Sequence, residues 1–448
     1  MEHQPRPISR RAVLRPVAAT GVTLLGAACG GQGPSGTGPS PAADSRPGGK
    51  IVWSFWAVSQ EQSDAAMARI KDFTVQNPTI QVEPFYTDWA AYREKITAMI
   101  SAATPPELMQ VDAYWMPTFV EQQLIQRLEP FMRGDKSFKL DAFLPGAFMD
   151  RHHVFGGAYY AVPNGPESPR VLFYNKQRFL ESGLPLPNTL DEQGKWTWDS
   201  YVETTTRLSK GTSPQRYFGT RDNLVSTGHY TWILSNGGNT LADDYKTCTI
   251  DKKETLDALQ FQADLIHKHR VAPGPSEDLG PGNAFHTGRV AMFLGGAWDA
   301  APLRNVAGLE YGVVAVPKSP RGTRKTMLKP NALTIPTGVK GQPAATAWEL
   351  IKFVASPTYQ KGQIDDGIAI TNLKELVDYF LKQSPIQNAK VFMDAYEHKE
   401  VAPIPLIAKW VEFETIVNED LNKVRSGENG LPAAAGNIKA RVNELLRA

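Results

Sequence analysis

Hydrophobic and polar positions along this chain switch between two periods, and the switch points mark its elements. Lys50-Ile-Val-Trp-Ser-Phe-Trp56 is a short apolar run of strand length and reads as a buried first strand. From Gln60 the period becomes helical. Ala66, Ile70 and Phe73 fall on one face, and Asn77-Pro78 stops the helix. Ile80 to Phe85 returns as a strand, and Asp88 is placed to cap a helix striped by Tyr92, Ile96, Met99 and Ile100. Pro105-Pro106 ends it, and Leu108 to Val111 is a third strand. Strand, helix, strand, helix, strand at these lengths is the βαβ pattern of a mostly parallel sheet covered on both faces.

A second α/β region begins after the turn-rich stretch Pro163 to Pro169. Val171 to Tyr174 is a strand, and Leu256, Leu259, Ala263 and Ile266 mark an amphipathic helix. Val290 to Leu294, Tyr311 to Val316 and Leu333 to Ile335 are further strands. A helix over Ala344 to Ala355 stops at Ser356-Pro357, and Ile438, Val442 and Leu445 give the C-terminus a helical period. No internal repeat is present.

The N-terminus changes this picture, because residues 1–28 read as an address rather than as fold. Ser9-Arg10-Arg11-Ala12-Val13-Leu14-Arg15 resembles a twin-arginine export signal, in which paired arginines precede a short apolar core. Val17 to Ala28 is interrupted by Thr20, Gly21, Thr23 and Gly26, and is shorter than the roughly 20 apolar residues a membrane span needs. Gly26-Ala27-Ala28 leads into Cys29 in the manner of a bacterial lipobox, with Gly26 where leucine is usual. Cys29 is therefore expected to be lipidated, the alternative being cleavage nearby without a lipid. Residues 29–49, almost all Gly, Pro, Ser, Ala and Thr, form a flexible tether.

Composition and charge narrow the function. The chain has 448 residues, 42% hydrophobic and 21% charged, enough for two domains with separate cores. Its formal charge is +2, and Arg6, Arg10, Arg11 and Arg15 against Glu2 put +3 in the leader, leaving the rest near −1. No basic field for nucleic acid exists. With Cys29 lipidated, Cys248 has no disulfide partner and reads as a small buried hydrophobe.

The ordered landmarks resemble the bacterial extracellular solute-binding proteins of sugar-uptake ABC transporters, the maltose-binding-like family. The likeness runs from Lys50 to the C-terminus. It is carried by Asn77-Pro-Thr-Ile-Gln-Val82, Pro105-Pro-Glu-Leu-Met-Gln-Val-Asp112, Tyr160-Ala-Val-Pro163 and Leu172-Phe-Tyr-Asn-Lys176. Phe285-His-Thr-Gly-Arg-Val-Ala-Met292, running into Gly295-Gly-Ala-Trp298, is its strongest part, and Ala347-Trp-Glu349 through Phe353-Val-Ala-Ser-Pro357 completes it. Order and spacing together make it specific. Lys329-Pro330-Asn331 departs from it, since the family usually carries a glycine pair there and Pro330 stiffens the backbone.

The resemblance implies the periplasmic-binding-protein type II fold: two discontinuous α/β lobes with mostly parallel sheets, joined by hinge strands and closing over a ligand. One lobe is expected at 50–165 plus 316–357, the other at 166–315 plus 358–448. The implied partners are a carbohydrate and the permease subunits of an ABC transporter. Attachment to the outer face of the bacterial cytoplasmic membrane would be by lipid alone, and the protein is expected to be monomeric, non-enzymatic and without cofactor.

A pyranose presents apolar C–H faces that stack on aromatic rings and a hydroxyl edge that needs donors and acceptors. Trp298 is the first candidate for stacking, because two glycines before it let the backbone approach a ligand. Neighbouring Asp299 would accept hydroxyls or simply cap a helix. Trp56 ends the first strand, with Gln60 at the mouth of the following helix, and ligands of open α/β sheets bind beyond strand carboxyl ends. Asp112 and Tyr114 follow the third strand at the same edge. Trp232 ahead of Asn236-Gly-Gly238, Glu167 in the first crossover, Tyr174 after it and Trp410 near the C-terminus complete the candidates. Trp53, Trp89, Trp115, Trp196, Trp198 and Trp348 are assigned to packing.

Other chemistry is not signalled. His152-His153 and His267-x-His269 lack zinc-site spacing and read as solvated surface. Gly-x-Ser-x-Gly, phosphate-loop and dinucleotide patterns are absent. Two alternatives stay open: a secreted glycoside hydrolase, which needs two opposed carboxyls, and the same binding fold serving a polyol, glycerophosphoester or peptide.

Overall fold

A computed structural model describes residues 46–57, 60–164, 168–212, 216–222, 224, 228–328, 330–367 and 370–447. Export leader, Cys29 and tether up to residue 45 lie outside the described residues, as does Glu167.

The first strand, β1 (Gly49–Trp56), pairs parallel with β2 (Ile80–Thr87) from Gly49 opposite Ile80 to Trp56 opposite Thr87. On its other side lies parallel β3 (Leu108–Asp112), with Trp53 opposite Leu108. Alternation along β1 sorts its side chains. Ile51, Trp53 and Phe55 join a core with Ala66, Ile70 and Phe73 from the first crossover, and with Trp348 and Ile351 of the helix Gly341–Val354. Ser54, on the opposite face, places its hydroxyl 2.8 Å from that of Tyr92. The first crossover is two helices rather than one, α1 (Gln60–Arg69) and a short turn Lys71–Gln76, parted at Ile70. The second, Trp89–Ser101, starts where expected, because Asp88 Oδ1 accepts from the Ala91 N–H at 3.1 Å.

Two more strands complete this sheet, both antiparallel to their neighbours. They are β4 (Val162–Pro163) and a strand that returns about 170 residues later. Between them the chain builds a second sheet from β5 (Val171–Asn175), β6 (Met292–Gly295) and β7 (Tyr311–Val314). A short strand β8 (Thr326–Leu328) then leads past Pro330 into the returning strand β9 (Asn331–Thr334). The first sheet has the order β2-β1-β3-β9-β4. Thus β9 is inserted between β3 and β4, with Asn331 opposite Asp112 and Ala332 opposite Pro163.

The second sheet corrects the expectation of mostly parallel pairing. Its order is β6-β5-β7, and central β5 is antiparallel to both neighbours. All five residues of β5 are buried, so the run carries no alternation that would reveal direction. Phe173 stacks on Phe293 across this pairing at 4.9 Å. Trp198, Tyr201, Trp232 and Phe261 form a separate aromatic core behind it, with Trp198 and Phe261 centroids 4.2 Å apart.

β4 and β5 are joined by the first passage between the two sheets, residues 315–325 form the second, and β8 pairs parallel with β10 (Val401–Pro403). The helix Pro357–Asp365 packs on the first sheet, with its Tyr359 ring 6.3 Å from Trp53. Further on, Leu144 N–H donates to Asn372 O at 2.7 Å, whereas Val313 N–H donates to Gln387 O at 3.2 Å. Residue 372 is thus tied to the segment ahead of β4, and residue 387 to the second sheet. Helices Trp410–Ser426 and Leu431–Arg447 close the chain. No helix among the described residues is long and apolar enough to cross a membrane.

Candidate functional site

Where β1 ends, a cleft of about 440 Å³ opens between the first sheet and the turn that follows β6. Trp56, at the end of β1, and Trp298, after β6, both line it, together with Gln110, Asn164 and Asn331. The candidates from opposite halves of the fold thus meet on one cavity. Arg69 and Asp366 are the only charged residues among the described residues that line it, and they form an ion pair.

Trp56 is half-buried, and its position is set by an aromatic layer behind it. Tyr92 and Trp115 meet its ring edge-on at 5.5 and 6.0 Å, and Trp115 stacks on Trp89 at 6.0 Å. Trp89 is 42% exposed, more than its assignment to packing implied, and donates its Nε1–H to Asp112 Oδ2 at 2.8 Å.

Trp298 is 41% exposed. Its turn depends on the backbone before it: a Cβ on Gly296 would lie 2.2 Å from the indole ring, so no other residue fits without moving Trp298. Ser168, between β4 and β5, accepts the Ala297 N–H at 2.8 Å, and the Arg170 guanidinium sits 4.6 Å from the Trp298 ring centroid. Asp299 turns back into this loop and accepts the Gly296 N–H at 2.9 Å. Burial raises its pKa, opposed by that N–H, Arg170 and His286. Its position fits the capping role rather than the hydroxyl-accepting one.

Several candidates lie elsewhere. Asp112 is fully buried and accepts from Trp89 and from the Tyr114 N–H at 3.1 Å, ending β3 and fixing the next turn. Tyr114 and Trp410 are both buried and stack on each other at 5.2 Å with planes 1° apart, so each covers the face expected for a ligand. Tyr174 is buried in β5, its hydroxyl accepting from Asn388 Nδ2 at 3.3 Å and its pKa pushed up to about 12 by burial. Trp232 has 0% exposure because its helix, Gly228–Ser235, is buried on every side. Gln60 is exposed, accepting from the Tyr86 hydroxyl and donating to Asp64 at 2.7 Å, while Gln62 reaches the cleft instead. His152 and His153 are buried, not solvated, and burial lowers their pKa values to about 4 and about 3.

Sequence reasoning missed Asn164, Tyr359 and Gln363, which line the cleft together with Asn331 of the stretch that departs from the family pattern. Asn164 and Asn331 each sit directly after a proline at a crossing, a signal that was available. Nothing local distinguishes Tyr359 or Gln363 on their helix.

This architecture, two α/β lobes with a cleft at their crossing strands, is that of the type II periplasmic binding proteins. The family pattern described as bacterial extracellular solute-binding protein matches residues 56–361, and the chain belongs to that family. It is 25% identical over 247 residues to the arabinooligosaccharide-binding protein of Halalkalibacterium halodurans, covering 54% of this chain and 50% of that one. Among solved structures, the substrate-binding protein Lmo0181 of Listeria monocytogenes in complex with cycloalternan superposes with a TM-score of 0.79 at 20% identity. That match covers 89% of this chain and 99% of the other. UgpB of Mycobacterium tuberculosis in complex with glycerophosphocholine gives 0.75 at 21% identity, covering 89% and 98%.

Proposed function

We propose that this chain is the capture subunit of an ABC-type importer, holding an extracellular carbohydrate between its lobes and passing it to the membrane permease. The observation that carries this reading is the cleft itself: Trp56 and Trp298 reach it from different lobes, around amide side chains and a single neutralised ion pair. Exposed indole faces suit pyranose C–H surfaces, amides suit hydroxyls, and a lining without net charge favours a neutral ligand. The sugar-binding relatives support the same choice. Asp112, Tyr114, Trp232, Tyr174 and Trp410 act as scaffold in this reading, and Asp299 positions Trp298.

The same reading has the chain exported by its twin-arginine-type leader, anchored through lipid on Cys29, monomeric and without catalytic activity. Mass spectrometry of the mature N-terminus tests the lipid, and incubation with oligosaccharides tests catalysis, where any turnover overturns the receptor reading.

The deciding experiment is a thermal-shift screen over sugars, polyols, peptides and glycerophosphoesters. A bound sugar at 100 times its Kd adds about 2.7 kcal/mol, enough to raise Tm by several degrees. A shift with glycerophosphocholine and with no sugar overturns the carbohydrate assignment.

A further inference from the structure

The cleft has a rim as well as a lining, and at one point the two lobes touch across it. After Trp298 the chain enters a short helix, Ala300–Leu303, capped by Arg304. Ala301 and Pro302 line the cleft, and so do Gln363 and Asp366 at the end of the helix Pro357–Asp365. The residues just beyond these two pairs, Arg304 and Gly367, meet. A Cβ on Gly367 would fall on the Arg304 guanidinium, so that group lies directly against the Gly367 backbone, and Gly367 is buried.

Each partner is fixed to its own lobe. Arg304 follows Trp298 through one continuous turn and helix, and the Tyr311 hydroxyl of β7 donates to Ala300 O at 3.5 Å. The helix Pro357–Asp365 is held to the first sheet, because Tyr359 meets Trp53 and Asp366 pairs with Arg69 of α1. A hinge motion that parts Trp298 from Trp56 therefore draws Arg304 away from Gly367.

The place where they meet suits a cation. Gly367 has a φ of +67° and ends the helix by donating its N–H to Ile364 O at 2.8 Å. The last carbonyls of a helix carry partial negative charge and favour a cation beside them. Asp365 and Asp366 add two carboxylates, and Arg69 neutralises one of them. Any side chain at 367 would displace the guanidinium, and glycine admits it.

We propose that Arg304 and Gly367 form a latch across the cleft rim, biasing the lobes toward the arrangement that encloses a ligand without touching the ligand. The proposal rests on the two-lobed capture reading and is independent of which ligand is captured. A contact made in only one arrangement shifts the equilibrium toward it, and ligand affinity scales with that population.

The test is a pulsed electron-spin distance measurement on the full chain with no ligand added. Labels are placed through Val75→Cys on the first lobe and Leu180→Cys on the second, both positions being exposed. Cys29→Ser removes the other accessible thiol, and Cys248 is buried. Arg304→Ala is expected to raise the ratio of longer to shorter separations about two- to fivefold, the effect of one cation at a helix C-terminus. Gly367→Asn, which tolerates the same backbone conformation, should give the same rise by displacing Arg304. The double variant should then rise no further than either single one. Distance distributions that coincide in wild type and Arg304→Ala overturn the latch. So does a double variant whose rise is the product of the two single rises, because Gly367 then acts through its helix alone. Either failure leaves the capture reading standing, since that reading is decided by the thermal-shift screen.

Discussion

Trp298 and Trp232 carry the same side chain into opposite environments, one 41% exposed on the cleft and one with no exposure at all. Their truncations should therefore separate. Trp298→Ala is expected to weaken sugar binding by about 2 kcal/mol, roughly 30-fold, with little change in urea stability. Trp232→Ala should instead cost about 3–5 kcal/mol of stability and leave affinity per folded molecule nearly unchanged. Gly296→Ala supplies a third comparison. Its Cβ would sit 2.2 Å from the Trp298 ring, so calorimetry should show affinity falling toward that of Trp298→Ala although the indole is still present. At this scale the sequence was informative where backbone chemistry was special. The glycine pair before Trp298 and the strand end at Trp56 identified two residues that do line the cleft. It misled where an aromatic residue stood near a strand end or a glycine pair, because Tyr114 and Trp410 satisfy each other and Trp232 satisfies a core.

Among the elements, those with a clean period were legible. β1, β2 and β3 were readable within a few residues, and Asp88 caps its helix through the bond expected of it. Asp88→Ala should lower stability by about 1 kcal/mol in urea denaturation and leave ligand affinity alone. Strand direction in the second sheet was not legible. β5 is buried at every position, and a continuous apolar run is compatible with either pairing, since direction is decided by the connections rather than by the strand. The split of the first crossover helix at Ile70 was likewise silent, because the apolar face continues across the break through Ile70 to Phe73.

For the whole molecule, length, composition and the turn-rich stretch at residues 163–169 pointed to two domains and the family resemblance to their discontinuous arrangement, and the burial pattern adds a property that none of these foretold. His152, His153 and His229 are all buried, with pKa values lowered by burial to about 4, about 3 and about 3. In the unfolded chain an imidazole titrates near about 6.5, so below that pH the unfolded state binds protons the folded state refuses. Stability is intact above that value and falls as pH drops from there toward 4. Each imidazole contributes a slope of about 1.4 kcal/mol per pH unit in that window. Urea midpoints measured between pH 7 and 4.5 should show the decline, and His153→Gln should flatten it by one proton. Strand order carries a consequence of a different kind, one of timing. Because β9 fits between β3 and β4, a chain emerging from the ribosome can assemble its second sheet once residue 314 has appeared. At that moment β4 still has no partner. At about 5–20 residues per second the wait from Pro163 to Asn331 lasts roughly 8–35 s. Throughout it the edge of β3 stays open, while the second sheet is already paired and waits only for the C-terminal helices that complete its core.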